Sequence, residues 1–193
     1  MDSHRFALSQ MGRETPSDEE LHSLIGGNLL NIYISHFGFS ESDAREAVRI
    51  YRERYAKVGI HKAQLYPGFK DVLVGLRKAG ASIGIATLKA EVFANQMIKE
   101  LGISEYFDCV CGMDLQDGLT KAGLVKKCVE LSGNEIGDSV LVGDTEGDRK
   151  GAYGAGIDFV GVSYGFGYSD SIDYDFICCS TCKDLIKTLL CEE

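Results

Sequence analysis

No stretch of this 193-residue chain is apolar for the length of about 20 residues that a bilayer-spanning helix needs, so no membrane-spanning helix and no membrane partner is expected. The opening Met1-Asp2-Ser3-His4-Arg5 has no apolar segment after its charges, so no secretory signal is expected and the protein reads as cytoplasmic. No basic cluster stands out, and the net charge is -9; both argue against a nucleic-acid partner held through its phosphates. Seven cysteines form no repeating framework, as expected for free thiols in a reducing compartment. Cys178, Cys179 and Cys182 make a CCxxC followed only by Cys191, short of a zinc ligand set, and are expected to be small buried hydrophobes. Histidines 4, 22, 36 and 61 make no ligand pair at helical spacing and are expected at the surface or partly packed. Internal repeats and low-complexity stretches are absent too.

What is present is an ordinary globular composition, 45% hydrophobic and 25% charged, long enough for a core and a small second domain. Residues 1–62 read as helical. Ser17 and Glu20 make a capping-box pattern, Leu21, Leu24 and Ile25 share a face, and Ser40 to Asp43 open a further amphipathic helix. From residue 63 the pattern alternates. A helix ending at Gly80 precedes a buried strand Ser82–Thr87 and a helix from about 90 to 101. Next come a strand Phe107–Gly112, a helix Lys121–Leu131 and the strand Val140–Gly143 with its helix. The last elements are a strand Phe159–Val162, a short strand Phe176–Cys179 and a closing helix Cys182–Leu190. Strands alternating with helices imply an α/β fold: a parallel sheet with helices on both faces.

The chain turns on Val140-Leu141-Val142-Gly143-Asp144-Thr145-Glu146-Gly147-Asp148. A charge-free apolar run reads as a buried parallel strand, and the glycine that ends it is followed by two carboxylates four residues apart. Loops beyond strand tips form the ligand crevice of open α/β sheets, so Asp144 and Asp148 are candidate ligands for a hard cation such as Mg²⁺. The bland alternative is a capping acid followed by a solvated helix acid.

The run GDTxxDxxGAxxAGI resembles the fourth motif of the haloacid dehalogenase (HAD) superfamily, and residues 65–167 resemble its phosphoglycolate phosphatase branch. The resemblance implies a HAD-like Rossmannoid core, about 63–193, under a helical cap, 1–62, and a Mg²⁺-dependent phosphatase of small phosphorylated metabolites, monomeric or homodimeric. Thr87 matches the second motif, whose hydroxyl holds the transferring phosphoryl group. Lys121 matches the third, whose amine neutralises charge on nucleophile and phosphate. Asp144 and Asp148 match the metal acid and the second acid that supports metal or lysine. Taken alone, a Thr at the position of Thr87 is usually a helix cap, and the bland reading of Lys121 is a solvated first-turn lysine.

The family's first motif, a DxD on a central opening strand, supplies the nucleophile and has no counterpart here. Asp173-Tyr174-Asp175 is the chain's one DxD, follows no buried strand and matches a segment without a catalytic role. The expectation is therefore an N-terminally truncated phosphatase with little or no turnover. The alternatives are a proteolytic piece, or a noncatalytic phosphate- or metal-binding regulatory protein whose sheet closes differently, direct pairing of the two flanking strands being one way. A response-regulator-like receiver fits less well, since the strand ends lack its arrangement of acids.

Overall fold

The computed structural model describes residues 1–114 and 116–191. These divide into two compact units, Met1–Ala63 and Gln64–Glu193.

The first unit is helical. It comprises α1 (Asp2–Gln10), α2 (Asp18–Ser23), α3 (Leu29–Asn31, running on as a π-helical turn over Ile32–His36) and α4 (Glu41–Arg54). Short polar side chains start the helices as the sequence implies: Ser17 accepts from the Glu20 amide, Asn28 from Asn31 and Ser40 from Asp43. Ala7, Leu8, Tyr33, Phe39, Ala44 and Val48 form its core. His4 departs from expectation, because it lies on the same face of α1 as Ser3, Ala7 and Leu8 and is buried with them. Its Nδ1 stands 3.2 Å from the Tyr33 hydroxyl. Burial, with a smaller contribution from the N-terminal amine, pushes its pKa down to about 4.

The second unit is α/β with parallel strands. After α5 (Phe69–Lys78) come β1 (Gly84–Ala90), α6 (Glu91–Glu100), β2 (Cys109–Met113), α7 (Lys121–Ser132) and β3 (Val140–Gly143). They are followed by α8 (Glu146–Ala155), β4 (Asp158–Val162), β5 (Cys178–Cys179) and α9 (Cys182–Leu190). β1 runs past the predicted Thr87 because the ladder with β2 shifts register and resumes at Ala90 opposite Met113. Alternation along the strands feeds helices on both faces. On β4, Val160 and Val162 pack with Val72 of α5 and Leu185 of α9, while Phe159 packs with Val125 of α7 and Ala152 of α8. Gly156 ends α8 in the left-handed region at φ 83, a conformation that costs glycine little.

Two sheets form rather than one. β1 pairs with β2, and separately β3 pairs with β4 and β4 with β5, all parallel. Among the described residues β1 and β3 share no ladder, so the direct pairing entertained above is not formed. Burial also corrects the sequence reading. Val140–Gly143 and most of β1, read as buried strands, are only partly covered, and Val140 is 43% exposed, whereas Cys111 on β2 and Phe159 on β4 are 0% and 7% exposed. Among the described residues β1 and β3 each have a hydrogen-bonded neighbour on one side alone. No helix of the described residues is long and apolar enough to cross a membrane.

Candidate active site

Lys121 is the first residue of α7, where the helix dipole disfavours a cation, and the surroundings compensate. Its Nζ donates to the Ala86 carbonyl of β1 at 2.7 Å and pairs with Asp148 Oδ1 at 2.7 Å. The two side chains are 17% and 15% exposed, so water screens the pair little. α7 and α8 approach closely enough that a Cβ on Gly151 would lie 2.3 Å from Lys121 Cγ. Glycine there lets the lysine stem pass.

Asp148 serves two purposes at once. While Oδ1 holds the lysine, Oδ2 accepts from the Thr145 hydroxyl at 2.7 Å, from the Thr145 amide at 3.1 Å and from the Asp144 amide at 3.3 Å. Thr145 returns the contact by accepting from the Asp148 amide, which completes a capping box at the start of α8. Burial pushes the Asp148 carboxyl up, but the Lys121 ammonium and the Thr145 donors outweigh it and hold the group below the usual carboxylate range. The bland alternative had the first acid cap the helix and the second lie in solvent; instead Thr145 is the N-cap, and Asp148 is largely buried and completes the capping box.

Asp144 sits just past the tip of β3. Its Oδ2 accepts from the Phe166 amide at 2.8 Å, and its backbone carbonyl accepts from the Gly167 amide at 3.0 Å. A Cβ on Gly165 would fall 2.2 Å from that carboxylate, so the loop after β4 closes on Asp144 only because a glycine stands there. Burial raises the Asp144 pKa, the Phe166 amide opposes the rise and the Asp148 charge adds to it. This desolvated acid gains from a nearby cation.

Thr87 lies on β1 next to Ala86, whose carbonyl holds Lys121, and its Oγ1 accepts from the Lys89 amide at 3.1 Å. Lys121, Asp148 and Asp144 are therefore joined by direct contacts, and Thr87 adjoins them through the β1 backbone. The sequence reading missed three participants. Gly165 and Phe166 fix Asp144, and the one signal for them is the closely spaced glycines of Gly165-Phe166-Gly167. Lys89 was also missed; burial pushes its ammonium down to about 8.

A family model described as haloacid dehalogenase-like hydrolase matches residues 1–162. A 5'-nucleotidase from Pseudomonas aeruginosa is 31% identical over 171 residues, which cover 88% of this chain and 77% of the relative. A phosphoglycolate phosphatase from Pseudomonas fluorescens is 29% identical over 173 residues, covering 86% of this chain and 63% of that protein. Among solved structures, a predicted phosphatase from Clostridium acetobutylicum superposes with a TM-score of 0.90 at 26% identity, covering 98% of this chain and 89% of the other.

Proposed function

We propose that this chain, which belongs to the haloacid dehalogenase-like hydrolase family, carries the phosphate- and metal-binding part of a Mg²⁺-dependent phosphomonoester hydrolase. The substrates proposed are small phosphorylated metabolites of the kind phosphoglycolate phosphatases handle, met in the cytoplasm. The observation that carries this reading is the Lys121 ammonium, fixed by two acceptors at 2.7 Å beside Asp144.

Each residue has a part that follows from its contacts. Lys121 is held in one place without conformational cost at the moment of binding, so its charge acts on phosphoryl oxygens as a preorganised group. Thr87 accepts from Lys89 through its oxygen, which leaves the hydroxyl proton to donate to a phosphoryl oxygen. Asp148 holds the lysine in position. The donor set suits a hard divalent ion: Asp144 and Asp148 are carboxylates, and no thiol or imidazole touches them among the described residues. Asp144 would hold Mg²⁺ directly, with Asp148 behind it because both its oxygens are engaged. Such an ion, when bound, would supply positive charge to offset that of the phosphoryl group.

None of these residues is placed as a nucleophile. Asp148 is occupied, and Asp175 of the one DxD pairs with Arg149 at 3.4 Å rather than with the site. The one-sided pairing and partial burial of β1 and β3 among the described residues support the reading that a further strand, and with it the attacking carboxylate, is wanting. We therefore assign little or no turnover to the chain as it stands. The test is phosphate-ester hydrolysis with Mg²⁺ on material of verified mass. Background rates are expected; robust metal-dependent hydrolysis abolished by Asp144→Asn would refute the assignment.

A further inference from the structure

Three thiols that the phosphate chemistry leaves unused converge two turns down α7 from Lys121. Cys109 and Cys111, two residues apart on β2, face the same way, and Cys128 meets them from the buried face of α7. The Cys109 and Cys128 sulfurs are 3.2 Å apart, and all three lie within 4.8 Å of one another. A Cβ on Gly84 of β1 would come 2.3 Å from Cys128 Sγ and 2.9 Å from Cys109 Sγ, so the sulfurs occupy space that any other residue on β1 would claim. Cys111 and Cys128 are buried, while Cys109 is partly exposed and gives a route in.

The setting decides which thiophile fits. Zinc asks for four ligands and for thiolates, but the cluster offers three sulfurs among the described residues, and burial favours the protonated form of Cys111 and Cys128. A complex carrying net charge would be costly in so dry a place. Arsenous acid avoids both difficulties. Each of its three As–O bonds is exchanged for an As–S bond, each thiol proton leaves on a hydroxyl as water, and arsenic stays trivalent. Three neutral thiols and one neutral acid give a neutral, three-coordinate product and three waters. Soft sulfur donors grouped on one side are what such an atom requires.

We propose that Cys109, Cys111 and Cys128 form a trithiol site for trivalent arsenic, which on binding ties α7 to β2. Independent of any phosphatase activity, the site can be tested on the full chain with arsenite as the probe. Native mass spectrometry should show one adduct, with the mass of one arsenic less three hydrogens, and thermal melting should shift upward. Cys111→Ala and Cys128→Ala should each weaken binding at least tenfold. Cys109→Ser, at the more exposed position, serves if the buried variants do not fold. Cys179→Ala and Cys191→Ser should bind as the parent does. No adduct, an adduct that loses only two hydrogens, or an adduct undiminished by Cys109→Ser and Cys128→Ala would each overturn the proposal.

Discussion

Replacing Asp148 with asparagine tests whether Lys121 is locked or merely nearby. The pair is 2.7 Å long with both side chains at least four-fifths covered, so the change strands an ammonium in a site without its counter-charge. Removing one partner of a buried pair costs about 3–5 kcal/mol. Asparagine keeps an oxygen for the Thr145 amide and retains part of the helix cap, which places the loss near the lower end, about 3 kcal/mol. For a chain of this length that lowers Tm by about 6–12 °C. Lys121→Met, which leaves a buried carboxylate, should cost a similar amount. The double variant leaves neither charge stranded and should lose less than the two single losses combined, by about 2 kcal/mol of coupling. Because the chain has no tryptophan, far-ultraviolet circular dichroism is the natural probe of melting. Single losses below about 1 kcal/mol, or strict additivity, would mark a solvated pair and refute the idea of a preorganised lysine.

His4 makes the first unit acid-sensitive. Its folded pKa of about 4 lies below the ordinary 6.5, so the unfolded chain binds a proton first, and stability is full above pH 6.5 and falls as pH drops toward 4. The loss approaches about 3 kcal/mol, and His4→Phe should flatten the pH dependence of urea midpoints between those limits. Gly151→Ala should destabilise by about 1–3 kcal/mol through its clash with Lys121, although an alanine in an open helix would normally help; a higher Tm would contradict the close packing of α7 and α8. Asp144→Asn should raise the Tm of the metal-free chain, because burial disfavours the charge it removes. Mg²⁺ should then stabilise the parent and leave this variant unmoved, as read by melting with and without the ion.

Elements bounded by glycine and caps were legible in the sequence: α7 and β4 start and end within a residue or two of where the pattern puts them. Burial was not. An apolar run such as Val140–Val142 announces a strand, but which neighbours cover it depends on pairings far away in the chain, and here β3 is paired on one side alone among the described residues and only partly covered. The meeting of Asp144, Asp148 and Lys121 in the candidate site was readable because the two acids share one short loop and Lys121 opens a helix. Phe166 and Gly165 were not readable in that way, since 22 residues separate the Phe166 amide from the carboxylate it steadies. The thiol cluster hid for the same reason. Cys109 and Cys128 are 19 residues apart and meet only once α7 packs on β2. His4 belongs to a helical stripe with Ala7 and Leu8, a spacing that scanning for histidine pairs overlooks.

The most direct test is to extend the chain at its start by roughly 15–20 residues, an apolar strand ending in Asp-x-Asp and its loop, and to measure Mg²⁺-dependent phosphate-ester hydrolysis before and after. Hydrolysis that appears only in the extended chain and disappears with Asp144→Asn or Lys121→Met is the result predicted. Equal hydrolysis without the extension, or an extended and folded chain that stays inert, would contradict the account.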